Sequence, residues 1–144
     1  MTAPNSTTLK FSILLIILLA FDYREASSNN GHLISVLIIN RVSVPSHPTT
    51  ITVHCKSKDN DLGFHTVPYS GSYGFSFTEN VIGTTLFFCS FTWPEDPRRH
   101  YLDIYDAKHD SCLECIWNII SDGGCLNSHK CGPWKSIDAN SLTF

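Results

Sequence analysis

Six cysteines, Cys55, Cys89, Cys112, Cys115, Cys125 and Cys131, constrain this chain of 144 residues more than any other feature. An even number in a chain of this size reads as a disulfide framework if the protein is exported, and as a metal or redox site if it stays in a reducing compartment. The N-terminus decides between the two. Lys10 precedes an apolar run from Phe11 to Phe21 broken only by Ser12, and Asp22, Arg24 and Glu25 then restore polarity. A run of this length falls short of the roughly 20 apolar residues a spanning helix needs. With the small residues Ala26, Ser27 and Ser28 behind it, it has the form of a signal peptide. The expected organisation is therefore a leader over residues 1–28 and one secreted, extracellular domain over residues 29–144. No second apolar segment approaches membrane-spanning length, so no stable membrane insertion is expected after processing.

In an oxidising compartment the zinc alternative weakens. Cys112-Leu-Glu-Cys115 could direct two sulfurs at one ion, but Cys125 and Cys131 lie further apart than the usual ligand spacing, and exported thiols oxidise. A redox CxxC would need a βαβ context that the sequence lacks. The formal charge of -3, unchanged when the leader is removed, excludes a nucleic-acid binder that works by charge.

The region after the leader reads as short strands separated by turns. His32–Ile39 is a branched apolar run, and Pro45-Ser46-His47-Pro48 is a turn before the β-branched stretch Thr50–Val53 that leads to Cys55. Lys56–Asp61 carries only polar and charged residues and reads as a solvated loop, with Gly63 free to take a positive φ. Phe64–Val67 is a short strand ended by Pro68, with a turn at Tyr69–Ser72. Tyr73, Phe75 and Phe77 then alternate with Gly74, Ser76 and Thr78, which predicts an antiparallel strand with its aromatic face in the core. After a turn at Asn80–Gly83, Thr84–Phe91 is apolar on both faces and is expected to be the central strand. Trp93 precedes Pro94–His100, read as an exposed loop because of its two prolines and its charges. Tyr101–Tyr105 alternates with Tyr101, Asp103 and Tyr105 on the wet face, and Ala107–Ser111 is a polar turn. Cys115–Ile120 is a further strand closed by Ser121–Gly124, Gly132-Pro133 breaks any long element, and Leu142–Phe144 is at most an edge. Short strands at near-regular spacing without an amphipathic helix indicate an all-β, antiparallel β-sandwich.

Four of these stretches also occur together in a known family. VHCKSKDNDLG (Val53–Gly63), YGFSF (Tyr73–Phe77), TTLFFCSFTW (Thr84–Trp93) and CLECIW (Cys112–Trp117) before SDGG, with VLIIN (Val36–Asn40) upstream, resemble the plant self-incompatibility protein S1 family. The resemblance implies a small secreted β-sandwich held by disulfides. Its founding members are stigma-secreted signals that trigger rejection of self pollen, so it implies a cysteine-rich ligand of a cell-surface receptor or extracellular protein, in pollen–pistil recognition or another plant cell–cell signalling role. The pattern departs at Gly124 and Cys125, where the family usually has an aromatic or branched residue. The expected bridges are two among Cys55, Cys89, Cys112 and Cys115, their pairing open, and a local one from Cys125 to Cys131.

Loops carry recognition more often than strands, so Lys56, Lys58, Asp59 and Asp61 in one loop and Glu95, Asp96, Arg98 and Arg99 in the other are the candidate receptor contacts. An alternative function is apoplastic carbohydrate binding or defence, with Tyr69, Tyr73 or Trp93 as a stacking platform. No cofactor or metal is expected: the histidines form no H-E-x-x-H pair, and Asp59 with Asp61 are too few for a calcium loop. A hydrolase would need Ser70 or Ser72 to meet His65 and Asp61. No G-x-S-x-G or comparable motif supports that triad, so no enzyme is expected.

Overall fold

The computed structural model describes residues 3, 5–25, 31–45 and 47–135, and the expected cleavage site and Leu142–Phe144 lie outside them. The first thirty residues form a unit of their own. Within it the apolar run continues as the helix α1 (Ser6–Glu25), whose Phe11, Leu15 and Ile16 stand exposed. No described helix is long and apolar enough to cross a membrane.

The second unit starts at Gly31 and is built from strands. In chain order these are β1 (Leu33–Asn40), β2 (Ser43–Val44), β3 (His47–Pro48), β4 (Ile51–Lys56), β5 (Asp61–Val67), β6 (Ser72–Thr78), β7 (Leu86–Trp93), β8 (Asp96–Asp106), β9 (Glu114–Ile120), β10 (Gly123–Leu126) and β11 (Lys130–Pro133). They form a five-stranded sheet in the order β11-β10-β9-β1-β6, a four-stranded sheet in the order β5-β4-β7-β8, and a small β2-β3 ladder. Every pairing is antiparallel except β1 with β9, which run parallel.

Alternation explains most of the core. On β1 it sends Ile34, Val36, Ile38 and Asn40 inward, on β9 Cys115, Trp117 and Ile119, and on β4 Ile51, Val53 and Cys55. Across the sandwich the β6 aromatics meet the opposite sheet: Phe77 lies 4.4 Å from Phe87 and 5.1 Å from Tyr105, and Phe75 lies 5.2 Å from Phe87. Such ring pairs add to the burial of their apolar area. Among the described residues Asn40 is the one fully buried side-chain amide, with no exposed surface. Its Nδ2 donates to the carbonyls of Thr49 and Val67 at 2.8 and 3.0 Å, and its Oδ1 accepts from the Val42 amide at 2.8 Å. A satisfied amide at that depth ties the end of β1 to both chain segments that cross it.

Several elements depart from the sequence expectation. The loop expected over Pro94–His100 shrinks to a turn at Pro94-Glu95, because β8 already pairs with β7 at Asp96 opposite Trp93. Pro97 is tolerated there because β8 is an edge strand. Tyr105 is buried rather than wet. The pairing steps from Phe87↔Tyr105 to Phe88↔Asp103, so Ile104 is the extra residue of a bulge, and the shift of one residue turns Tyr105 inward beside it. β7 is central as expected, but only its Phe87/Cys89/Phe91 face is sealed; Leu86 is exposed and Phe88 half-buried. β5 begins at Asp61 rather than Phe64, and Pro48 pairs with Ser43 in the small ladder.

The C-terminal departure from the family pattern also has a structural reason. Gly123 and Gly124 open β10 instead of closing β9, and Gly132-Pro133 belongs to β11. A Cβ on Gly124 would come within 2.7 Å of the Leu102 side chain and 3.1 Å of the Trp117 ring, so a larger residue would have to displace both.

All six cysteines are paired as Cys55–Cys89, Cys112–Cys115 and Cys125–Cys131. The local Cys125–Cys131 bridge is as expected, and the zinc reading of these sulfurs is displaced. Cys55 faces Cys89 across neighbouring strands of one sheet, and Cys125 faces Cys131 across neighbouring strands of the other. Cys112–Cys115 closes a tight loop at the start of β9. Each bridge therefore stays within one layer.

Candidate functional site

The two candidate contact loops lie at opposite ends of the four-stranded sheet. Lys56 pairs with Phe88 near the start of β7, whereas the Pro94-Glu95 turn follows its last residue, Trp93. The stretch of β7 from Phe88 to Trp93 separates them by roughly 17 Å at about 3.3 Å per residue.

At the second end the candidate charges are engaged internally. Asp96 accepts two hydrogen bonds from the Arg98 guanidinium, both at 2.8 Å, one from the Arg98 amide at 3.3 Å and one from His100 at 3.0 Å, which hold its carboxyl well below the usual carboxylate range. Glu95 accepts from the Thr49 hydroxyl at 2.9 Å and from His47 at 3.0 Å, and its carboxyl is likewise lowered. These groups brace the turn, which leaves Arg99 and the outer part of Arg98 facing solvent. Trp93 is not a platform: it is 6% exposed, with its ring stacked 4.7 Å from His100 and tilted against Trp134 at 6.2 Å. Tyr73 is also occupied, stacked 3.8 Å from His65, while Tyr69 remains exposed.

The hydrolase constellation does not assemble. Asp61 bonds His54 at 2.6 Å, His65 donates to the Leu62 carbonyl at 2.8 Å, and the Ser70 hydroxyl accepts from Arg41 at 3.0 Å. Among the described residues no cluster of three or more His, Cys, Asp or Glu is placed to hold a metal.

The first end is more complete. In the β4–β5 hairpin, Asp61 accepts from the Gly63 amide at 3.0 Å, from His54 and from Lys56, whose Nζ lies 3.1 Å away. In that order of weight these donors push its carboxyl far down. Gly63 at φ 76° makes the amide contact available, in a conformation that favours glycine. The Ser57 amide donates to the Asn60 carbonyl at 2.8 Å and closes the turn. Lys58 and Asp59 are left exposed at its tip.

Beside this hairpin lies the loop joining β6 to β7, which sequence reasoning treated as a plain turn. The Asn80 side chain accepts from the Thr84 amide at 2.8 Å and donates to the Thr84 hydroxyl at 2.8 Å, and the Thr85 hydroxyl accepts from the Asn80 amide at 2.9 Å. The Gly83 amide also donates to the Asn80 carbonyl at 3.0 Å. A loop braced this way presents Val81 and Ile82 to water, each 76% exposed. Between the loop and the hairpin is a cavity of about 380 Å³ lined by Lys58, Asp59, Phe77, Ile82 and Leu86 among others. The overlooked signal was the pair of branched aliphatic residues inside a turn, where polar residues are the rule.

These features define a small disulfide-bonded β-sandwich with no assembled catalytic constellation among its described residues and with one end that combines aliphatic tips and free charges. The plant self-incompatibility protein S1 family profile matches residues 35–138. S-protein homolog 5 of Arabidopsis thaliana is 48% identical over 89 residues, covering 59% of this chain and 68% of that protein. S-protein homolog 3 is 44% identical over 56% of this chain and 57% of its own length, and S-protein homolog 18 is 37% identical over 90% and 95%. A solved structure of SPH (Self-Incompatibility Protein Homologue) proteins, described as a widespread family of small, highly stable, secreted proteins from plants, has the same fold. Its TM-score is 0.52 at 20% identity, covering 74% of this chain and 98% of that one. The chain belongs to the plant self-incompatibility protein S1 family.

Proposed function

We propose that this protein is exported, loses residues 1–28, and acts as a ligand of a cell-surface or extracellular plant protein, which contacts the end carrying Val81, Ile82, Lys58 and Asp59. The observation that carries the reading is the Val81-Ile82 pair. A hydrogen-bonded loop that exposes two adjacent aliphatic side chains places apolar surface where solubility disfavours it, and such surface rimmed by charge is typical of recognition sites. Family membership, the apolar leader and the pairing of every cysteine support export. Pollen–pistil recognition is the role the family's founding members suggest, and another cell–cell signal would use the same surface.

The test is saturable labelling of plant cells by the oxidised protein. Val81→Ser with Ile82→Ser should weaken binding by about 2 kcal/mol, about thirtyfold, as for other central apolar contacts. Arg98→Glu with Arg99→Glu, at the far end, should leave it unchanged. Equal binding by the loop variant, or loss in the distal variant alone, rejects the assignment. Intact-mass analysis of the secreted product checks the leader.

A further inference from the structure

Among the described residues both sheets end in open edges, and three of the four carry devices that discourage further pairing. β8 carries Pro97, Arg98 and Arg99 and two irregularities in its pairing; β11 is four residues long and ends in Pro133; β5 opens with Asp61, contains Gly63 at φ 76° and pairs across a register shift. β6 has none of these. Its seven residues, Ser-Tyr-Gly-Phe-Ser-Phe-Thr, include no charge and no proline, they pair with β1 without a shift, and among the described residues β1 is the one strand hydrogen-bonded to them.

The hydrogen bonds that bracket the ladder show which backbone groups remain open. The Asn40 amide donates to the Gly71 carbonyl at 3.0 Å, and the Glu79 amide to the His32 carbonyl at 2.9 Å. Antiparallel pairing alternates between these brackets, so Tyr73, Phe75 and Phe77 turn their N–H and C=O towards β1. Ser72, Gly74, Ser76 and Thr78 turn theirs outward.

We infer that β6 is a dimerisation edge, which pairs antiparallel with β6 of a second copy of this chain about a two-fold axis through Phe75. This register uses all four outward residues, matching Ser72 with the second copy's Thr78 and Gly74 with its Ser76. It forms eight backbone hydrogen bonds, within the range of about 5–15 seen in specific interfaces. The strand is self-complementary on both faces. On the outer face small side chains meet small ones. On the inner face Phe75 meets its own copy and Tyr73 meets Phe77, aromatic cross-strand pairs of the kind that stabilise sheets. All three rings are half-buried in the single chain and have surface left to cover. The absence of charge on β6 removes the repulsion that two copies of β8 would meet. The inference does not depend on the partner proposed above.

Sedimentation of the oxidised protein across a dilution series tests it. The mass should rise from one chain towards two with concentration, and the Gly74 and Ser76 amides should gain exchange protection in the dimer. Ser72→Lys with Thr78→Lys sets like charges opposite each other twice and should weaken association about tenfold. Ser72→Lys with Thr78→Glu sets opposite charges there and should restore it, with melting temperatures alike, since both sites are exposed. A monomer at every concentration, a dimer indifferent to both variants, or a monomer whose Gly74 and Ser76 amides are already protected by the chain's own terminal residues would each overturn the inference.

Discussion

The three disulfides close loops of very different size, so removing each as a pair should cost very different amounts of stability. The sequence separations are 34 for Cys55–Cys89, 6 for Cys125–Cys131 and 3 for Cys112–Cys115. In the chain-entropy account the stabilisation grows with the logarithm of loop length, giving about 4, about 2.4 and about 2 kcal/mol respectively. Unfolding entropy near 2.1 cal/mol/K per residue over roughly 110 residues converts these to falls in Tm of about 17, about 10 and about 9 °C. Cys55 and Cys89 are fully buried, so Cys55→Ala with Cys89→Ala also leaves a small void, which adds to the loss. The assay is thermal and guanidinium unfolding of the three double-alanine variants beside the oxidised parent. The loop-closure reasoning fails if the three variants melt together, or if the Cys112/Cys115 pair proves the most damaging.

Two further outcomes follow from the polar groups. Asn40→Leu leaves the Thr49 and Val67 carbonyls and the Val42 amide without their partner inside the core, and should cost about 3 kcal/mol or more in denaturant titration; a loss below about 1 kcal/mol would mean those groups find other partners. Asp61, Glu95, Asp96 and Asp106 all have carboxyls lowered by hydrogen bonds in the folded state, so their contribution is present above the ordinary carboxylate range and disappears as they are protonated. Stability should therefore drop as pH falls below about 4, and a melting temperature flat down to pH 2 would contradict this. Tyr105 behaves in the opposite sense: burial first, then the nearby Glu79, raises its phenol to about 12, so stability is kept below about pH 10 and lost above it, as ultraviolet titration of the phenolate will show.

What was legible in the sequence is what local alternation and covalent chemistry dictate. The apolar run of β1 marks a buried strand, the period-two patterns of β6 and β9 group their inward residues correctly, and the proximity of Cys125 to Cys131 predicts their bridge. The misreadings have a common cause, since each depends on a neighbour that only the fold supplies. Pro97 marks a strand breaker in the sequence, yet it sits within β8 because an edge needs no donor on its outer side. Tyr105 was placed on the wet face because the bulge at Ile104 exists only in the pairing with β7. Asn40 looked like a strand boundary, and its three partners come from segments up to 27 residues away. The candidate charges were visible as charges. Their separation along β7, and the engagement of Asp96 and Glu95 with their own neighbours, were not. Val81 and Ile82 lie in a turn by sequence, and only the bracing of that turn by Asn80 shows that both side chains are held in solvent.

The confinement of every sulfur bridge to one layer sets how the molecule can open. Packed side chains and a few buried hydrogen bonds, such as Asn40 to the Val67 carbonyl and Trp117 to the Ile104 carbonyl, join the two sheets, but no sulfur does, so pressure or an apolar wedge can part them without any change of oxidation state. A reductant does the reverse, slackening each sheet along its own seams while the face between them stays closed.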